Sequence, residues 1–148
     1  MNVKIKKLNS NAIIPTQGSN KAAGYDLYAC LNANDTSVTI FPHTTKLIHT
    51  GLSIQPPKGY FGMIVARSGI ATKRGLRPAN CVGICDEDYR GEYLVALHND
   101  TDEIQYISKG ERIAQLIFMP YLQSEFLEVE ELDETSRGTD GFGSTGTN

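Results

Sequence analysis

The sequence predicts an all-β protein with a single domain. Short apolar stretches, rich in β-branched and aromatic residues, recur about every 8–12 residues, which is typical of a β-sandwich or a β-barrel. All six prolines lie at the edges of these stretches, where a missing backbone N–H does the least harm to a strand. The length of 148 residues suits one domain, and a chain of this size needs neither disulfides nor a structural metal to bury a core.

Seven stretches are predicted strands, and two more are helical windows. The predicted strands are residues 3–8, 38–41, 46–49, 60–65, 94–97, 104–107 and 113–118. Polar and apolar residues alternate most clearly in 37–40 and 103–106, as expected for strands with one buried face. Residues 68–74 have room for one or two helical turns. Residues 126–134, with apolar side chains at Phe126, Val129 and Leu132, fit a helix or a terminal strand equally well.

The composition changes after Glu134, so we expect a domain at residues 1–135 and a flexible arm at 136–148. The arm has four glycines and one large apolar side chain, Phe142, and it cannot bury enough surface to pack on its own. It is either a plain disordered terminus or a segment that orders over a ligand.

Charge and apolar content limit the partners. The net charge of −3 excludes a uniformly basic surface for nucleic acid, and no apolar run approaches the roughly 18 residues of a membrane span. Residues 1–80 carry ten Lys and Arg against two acids, whereas residues 81–148 carry four against fifteen. Either a basic pocket faces an acidic surface from elsewhere, in the same or in another subunit, or the two halves intermix in one fold.

Three cysteines, an odd number without a CxxC pair, predict reduced thiols. Because the first ten residues also lack the core of a signal peptide, we expect an intracellular, most simply cytoplasmic, protein. A zinc site formed by Cys81, Cys85 and His98 is an alternative to core thiols.

Two common nucleotide motifs do not apply. No GxxxxGK[ST] loop is present. The GxGxxG match at 141–146 has only two residues after it, too few for the helix and strand of a dinucleotide site.

The densest polar cluster is the stretch 80–91, Asn-Cys-Val-Gly-Ile-Cys-Asp-Glu-Asp-Tyr-Arg-Gly. On a β-hairpin, Asp86 and Asp88 would project to the same face, because side chains repeat every two residues along a strand. A carboxylate in such a pair can take a proton from water. The alternative is an acidic turn that is simply solvated.

Arg67, Ser68 and Gly69 open the predicted short helix and form a possible anion site. The hydroxyl, the guanidinium and the first helical amides would converge there. The alternative is that Ser68 is an ordinary N-cap.

Five segments, taken in order, resemble the five motifs of the trimeric dUTP nucleotidohydrolases (dUTPases). The segments are AGYDL at 23–27, RSGIA at 67–71, GICDEDYRG at 83–91, GERIAQ at 110–115 and RGTDGFGSTG at 137–146. The resemblance covers nearly the whole chain. It implies a distorted β-barrel or jelly-roll-like fold, and a homotrimer whose subunits share active sites.

The resemblance also implies a reaction. Water attacks the α-phosphate of dUTP and releases dUMP and pyrophosphate, with Mg²⁺ as the cofactor. This reaction keeps uracil out of DNA and supplies dUMP for thymidylate synthesis. Two rivals remain open, a non-catalytic nucleotide binder with this fold and a relative that deaminates dCTP.

Each site residue then acquires an implied role. Asp86 activates the water, Tyr89 lies under the deoxyribose and excludes a 2′-hydroxyl, and Asp26 acts on hydrated Mg²⁺. The residues that line the uracil slot are Asn80, Gly83, Ile84, Cys85 and Leu94. The residues that hold the phosphates are Arg67, Ser68, Gly69 and Gln115. The arm residues that close over the nucleotide are Arg137, Phe142, Gly143 and Ser144.

Three positions depart from the usual motifs. Asp140 stands where the fifth motif usually has glycine. Ala66 replaces the proline or glycine often found before Arg67, and Cys85 replaces the usual isoleucine or valine. None of the three removes a reacting group.

Overall fold

The computed structural model describes residues 2–139 and 141, and it confirms the all-β class. In chain order the elements are β1 (Lys4–Lys7), β2 (Thr16–Gln17), β3 (Tyr25–Tyr28), β4 (Ser37–Ile40), β5 (Thr45–Ile48), β6 (Leu52–Gln55), β7 (Tyr60–Val65), α1 (Ser68–Arg74), β8 (Leu76–Pro78), β9 (Gly83–Cys85), β10 (Val95–Asn99), β11 (Gln105–Ser108) and β12 (Arg112–Pro120). The architecture is jelly-roll-like, and the sheets formed by the described residues do not close into a barrel.

The largest sheet has five strands in the order β2-β3-β12-β7-β9, and all of its pairings are antiparallel. A second sheet has the order β5-β10-β8, and the pairs β1-β6 and β11-β4 complete the fold. Strand β12 lies at the centre of the large sheet. It therefore joins β3, which carries the first motif, to β7, which leads into the second.

A β-bulge near the start of β12 explains its burial pattern. The register with β3 shifts between Arg112 and Ala114, and Ile113 and Ala114 are both fully buried although they are consecutive. A bulge adds one residue to a strand and so breaks the alternation of buried and exposed side chains. Downstream of the bulge, Leu116 is again directed into the core.

Helix α1 has the bounds that the sequence predicts. It ends at Gly75, which has φ +60° and donates its N–H to Ala71 O at 3.1 Å. A Cβ at this position would lie 2.5 Å from Cγ2 of Thr101, so both the conformation and the space require glycine. Lys73 and Arg74 in the last turn stabilise the helix, because their positive charges interact favourably with the negative end of its dipole.

The strand predictions hold to within one or two residues, but the sequence misses several short strands. The strands outside the seven predicted stretches are β2, β3, β6, β8 and β9. The second helical window was wrong in both of its alternatives, because residues 126–134 form neither a helix nor a strand. In the part of the chain that the structure describes, no helix has the length and apolar character needed to cross a membrane.

The segment after β12 exposes many apolar side chains. The exposed large ones beyond Pro120 are Leu122, Phe126, Leu127, Val129 and Leu132. Such a run of exposed apolar side chains is unusual for a surface that faces water.

Candidate active site

The buried carboxylate of Asp26 on β3 binds two arginines. Its Oδ1 accepts a hydrogen bond from Nε of Arg67 at 2.8 Å, and its Oδ2 lies 3.2 Å from Nη1 of Arg112. The Asp26 side chain is only 4% exposed, whereas the two arginines reach partly into solvent. A buried charge is stable only when it is paired, so the two guanidiniums explain how Asp26 is accommodated inside the sheet.

Gln115 lies directly beside Asp26. It is opposite Asp26 in the β3-β12 pairing and opposite Val65 in the β7-β12 pairing. The side chain of Gln115 also packs close to Gly24 of the first motif, where a Cβ would lie 3.4 Å from Cβ and Cδ of Gln115, in ordinary van der Waals contact.

Residues of the second motif continue this cluster. Arg67 follows β7, and Gly69 lines a cleft of about 250 Å³ together with Arg67 and Arg112. Ser68 and Gly69 are exposed. The alternative that Ser68 caps the helix is wrong, because Arg67 is in the N-cap position and no side chain caps it. The structure therefore brings the predicted metal and phosphate residues together.

Helix α1 is held against the fourth motif by Arg74. Its Nη1 forms an ion pair with Glu111 at 2.5 Å, and Nη2 donates to Tyr106 O. Glu111 also accepts the N–H of Ser108 at 2.9 Å. These bonds fix the C-terminal end of the helix, which begins with Ser68 and Gly69.

The predicted base slot is a second cleft, of about 220 Å³. Asn80, Gly83 and Leu94 line it, together with Ile64 and Pro78. A Cβ on Gly83 would lie 3.2 Å from Cβ of Ile64 and 3.3 Å from Nδ2 of Asn80, so only glycine leaves this space open.

Strand β9 distributes its residues between two sides. Gly83 is buried at the base slot, whereas Ile84 is exposed and lines the neighbouring cleft. Cys85 packs partly buried against the core, where burial raises the pKa of its thiol to about 11. The ring of Tyr93 is fully buried, and burial raises the pKa of its hydroxyl as well.

The three acids of the third motif, Asp86, Glu87 and Asp88, share one cleft of about 570 Å³. Asp86 and Asp88 both line it, and both are exposed. The hairpin that we expected is not formed. Strand β9 ends at Cys85, and residues 86–89 form a turn in which the N–H of Tyr89 donates to Asp86 O at 3.1 Å. Asp86 and Asp88 nevertheless lie on a common side, as the sequence predicts, because both line the same cleft.

Tyr89 follows these acids in the chain, and its side chain lies against Gly91. A Cβ on Gly91 would collide with the Tyr89 hydroxyl. The hydroxyl donates to Glu92 O at 3.1 Å, and the ring lies 6.1 Å from the ring of Tyr93. The ring is therefore supported from one side, and 43% of the residue remains exposed to a ligand.

The zinc alternative has no support in the structure. Within residues 2–139 and 141, no three His, Cys, Asp or Glu residues are placed to hold a metal ion. His98 instead bonds Thr45 at 2.9 Å and lies 3.5 Å from Asp100. All three cysteines are free thiols.

The fifth motif is described only in part. Arg137 is in a turn that includes a hydrogen bond from Gly138 N to Thr135 O at 3.1 Å. Phe142, Gly143 and Ser144, and the unusual Asp140, lie outside the described residues.

Comparison with known proteins identifies the family. The dUTPase family model matches residues 10–146. A deoxyuridine 5′-triphosphate nucleotidohydrolase of Nautilia profundicola is 47% identical over 146 residues, which are 99% of this chain and 99% of the relative. The chain belongs to the dUTPase family.

Further dUTPases agree in sequence and in structure. A mitochondrial deoxyuridine 5′-triphosphate nucleotidohydrolase of Dictyostelium discoideum is 44% identical, over 97% of this chain and 76% of the relative. A mutant dUTPase of Staphylococcus bacteriophage 80alpha, solved with dUpNHpp, superposes with a TM-score of 0.87 at 28% identity and covers 98% of both chains. The dUTPase of S. aureus phage phi11, described with a structural Mg(II) ion, has a TM-score of 0.76 at 24% identity over 88% of this chain and 98% of that chain, which shows the fold alone.

Two residues of this dUTPase site acquire an importance that the sequence did not indicate. Arg112 is not among the site residues that the resemblance implies, yet it shares the buried Asp26 with Arg67. The sequence indicates no role for Glu87, yet its carboxylate accepts hydrogen bonds from Gly59 and Tyr121, which are 28 and 34 positions away in the chain. A role for Arg112 could have been predicted, because it stands in the same motif as Gln115 and so lies on the same strand. The partners of Glu87 could not, because no local sequence pattern reveals residues so far away in the chain.

Proposed function

We propose that this member of the dUTPase family cleaves dUTP at the α-phosphate, with Asp86 as the general base. The activity itself follows from family membership: the chain hydrolyses dUTP to dUMP and pyrophosphate, with Mg²⁺. The site residues and the atom attacked are the parts that we propose.

The observation that carries the assignment is the geometry of β9 and its turn. One short strand presents Gly83 to the base slot and ends next to Asp86, whose exposed carboxylate lines a second cleft only three residues further along the chain. A base bound beside Gly83 would therefore have its phosphate chain near Asp86. A positioned general base contributes roughly 10²–10⁴-fold to a rate.

Specificity for a deoxyuridine nucleotide has two parts in this proposal. The base slot formed by Asn80, Gly83 and Leu94, with backbone groups of Ile84 and Cys85, recognises uracil. The ring of Tyr89 supports the deoxyribose and leaves no room for a 2′-hydroxyl. A narrow slot is needed, because a loose apolar pocket discriminates against an extra methyl by only about 1–3 kcal/mol.

The cluster around Asp26 is suited to a triphosphate with its metal. Arg67, Ser68, Gly69 and Gln115 offer a guanidinium, a hydroxyl, backbone N–H groups and an amide to phosphate oxygens. Both oxygens of Asp26 already accept from arginines, so direct ligation of a metal does not fit. A contact through water to Mg²⁺ does fit, because Mg²⁺ keeps several of its waters and is held largely by the phosphates. The metal would supply neutralisation of the phosphate charge.

We further propose that the working form is a homotrimer with shared active sites. The base slot and the Asp26 cluster open as separate clefts of one chain. The apolar side chains exposed from Leu122 to Leu132 need a cover, and a second copy of the chain would supply it. Residues 136–148 would then form an arm in which Arg137, Phe142, Gly143 and Ser144 close over a bound nucleotide. Free thiols at all three cysteines support a reducing, cytoplasmic setting.

A pair of matched variants tests the role of Asp86. Asp86 and Asp88 line the same cleft and are both exposed, so D86N and D88N remove the same charge from neighbouring places. We expect D86N to lower kcat for dUTP by about 10²–10⁴-fold and D88N to stay within about tenfold of the parent. Comparable rates for D86N and the parent would refute the assignment, as would equal losses in both variants.

A further inference from the structure

The carboxylate of Glu87 joins the turn that carries Asp86 to two other parts of the chain. Its Oε2 accepts the N–H of Gly59 at 2.6 Å and the hydroxyl of Tyr121 at 2.8 Å. These two donors hold the pKa of Glu87 below its ordinary value, the Gly59 N–H having the larger effect. Hydrogen bonds to an ionised acceptor are about twice as strong as neutral ones.

The two donors belong to a rigid part of the large sheet. Gly59 precedes β7 and Tyr121 follows β12, and the terminal residues of these strands, Tyr60 and Pro120, are paired. The N–H of Tyr121 also donates to Gly59 O at 3.1 Å, and the ring of Tyr121 contacts that of Phe61 edge-on, with 6.4 Å between centroids. Glu87 is therefore bonded to a fixed end of two central strands.

Asp86 has no such anchor of its own. Among the described residues, its carboxylate makes no hydrogen bond or ion pair, and it is exposed in the cleft. Its orientation is set through the backbone of the turn, in which Tyr89 N–H bonds Asp86 O, and Arg90 Nη1 bonds Glu87 O at 2.6 Å and Tyr89 O at 2.9 Å. All of these bonds are internal to the turn. The carboxylate of Glu87 provides its side-chain link to the sheet.

We propose that Glu87 is a positioning residue, which pins the catalytic turn to Gly59 and Tyr121 and thereby holds the Asp86 carboxylate at the attacking water. The proposal rests on the role of Asp86 proposed above. A base that is already oriented loses little freedom in the transition state, and a displacement of about 1 Å can cost up to about 10²-fold in rate. Glu87 itself contacts no substrate in this scheme, so its loss should affect kcat more than KM.

Three substitutions at the two ends of the bond separate positioning from stability. E87A removes the acceptor. E87Q keeps an oxygen that can accept from both Gly59 and Tyr121. Y121F removes one donor and leaves the other. We expect E87A to lower kcat for dUTP by about 10- to 100-fold with KM changed less than about threefold, E87Q to recover most of the loss, and Y121F to lie between. The double variant E87A/Y121F should be no slower than E87A, because both changes remove the same bond.

The decisive readout is kcat at saturating dUTP, measured on preparations whose circular dichroism and oligomeric mass match the parent. Loss of thermal stability without loss of kcat in E87A would overturn the proposal, as would an E87Q variant as slow as E87A. If E87A does not fold, Y121F gives the same comparison with a smaller change, and an unchanged kcat there would also overturn it. The D86N variant separates the proposed role of Asp86 from that of Glu87. An active D86N refutes Asp86 as the base. An inactive D86N together with a fully active E87A refutes only the positioning role of Glu87.

Discussion

The Nε atom of Arg67 lies 2.8 Å from Oδ1 of Asp26, and this ion pair joins two motifs that are 41 residues apart in the chain. Arg112, from a third motif, lies 3.2 Å from the other oxygen of the same carboxylate. One buried acid therefore orients two cations that face a cleft. If this cleft binds the phosphate chain as we propose, positive charge is already in place there before the nucleotide binds.

We predict that D26N weakens both the fold and the site. Asparagine still accepts a hydrogen bond from Arg67 but no longer neutralises two guanidiniums, so we expect the free energy of unfolding to fall by about 1–3 kcal/mol, less than for a fully buried pair because the arginines are partly exposed. The measurement is urea unfolding at one protein concentration. The control is D102N, whose carboxylate is 98% exposed and whose loss should stay within about 0.5 kcal/mol. Equal stability of D26N and D102N would contradict this account.

We predict that G91A disturbs the sugar contact. A methyl group at this position collides with the Tyr89 hydroxyl, so the ring must move or its bond to Glu92 O must break. We expect a higher KM for dUTP and a selectivity for dUTP over UTP that falls by about tenfold, since both depend on the ring position. The matched control is G18A, because a Cβ on Gly18 meets no atom within 4 Å. Unchanged selectivity in G91A would count against the role of Tyr89.

We predict that the three thiols differ in reactivity. Cys81 is exposed, whereas burial raises the pKa of Cys30 and raises that of Cys85 to about 11. A pKa of 11 instead of 9 leaves about 100-fold less thiolate at pH 8. Iodoacetamide at pH 8, followed by mass spectrometry, should therefore label Cys81 first, and C81S should abolish the fast phase. A fast first label on Cys85 would contradict the burial.

The same shift predicts a pH dependence of stability. Burial raises the pKa of the Cys85 thiol in the folded protein above its ordinary value of 9.0. The unfolded chain therefore loses this proton first as the pH rises. The contribution of Cys85 is present below pH 9 and is lost between about pH 9 and pH 11. C85V should remove this part of the decline in the free energy of unfolding, and an unchanged pH profile in that variant would contradict the assignment.

The sequence predicts the local features of this fold well and the long-range ones poorly. The bounds of α1 follow from Ser68 to Arg74 and the glycine after them, because a C-terminal glycine and basic last turn are local signals. Strand β3 was missed because only four residues, Tyr25 to Tyr28, form it, and its buried Asp26 conceals the pattern of a strand.

Two other features of the structure could not be predicted from the periodicity of apolar residues in the sequence. The spacing of Phe126, Val129 and Leu132 indicates an apolar stripe, but all three side chains are exposed rather than packed against the rest of the described chain. The bonds of Glu87 depend on which strand ends meet in space. Asp86, Asn80 and Gly83, in contrast, were found from one contiguous stretch of sequence, and in the structure each of them lines a cleft.

We predict that the active site combines residues of different subunits. D86N and R67A each disable one part of the site, so each variant alone should be nearly inactive. If Asp86 and Arg67 of one site come from neighbouring copies, a refolded equimolar mixture should recover about a quarter of the parent activity, because each position is intact in half of the chains. A mixture with no more activity than the separate variants would contradict shared sites.

Hydrolysis of dUTP in heavy-oxygen water tests the central claim most directly. If the water next to Asp86 attacks the α-phosphate, mass spectrometry of the products will find the label in dUMP, and single-turnover release by D86N will be slower by the same factor as kcat. Label in pyrophosphate would contradict attack at this phosphorus, and an undiminished single-turnover rate in D86N would remove Asp86 from the reaction.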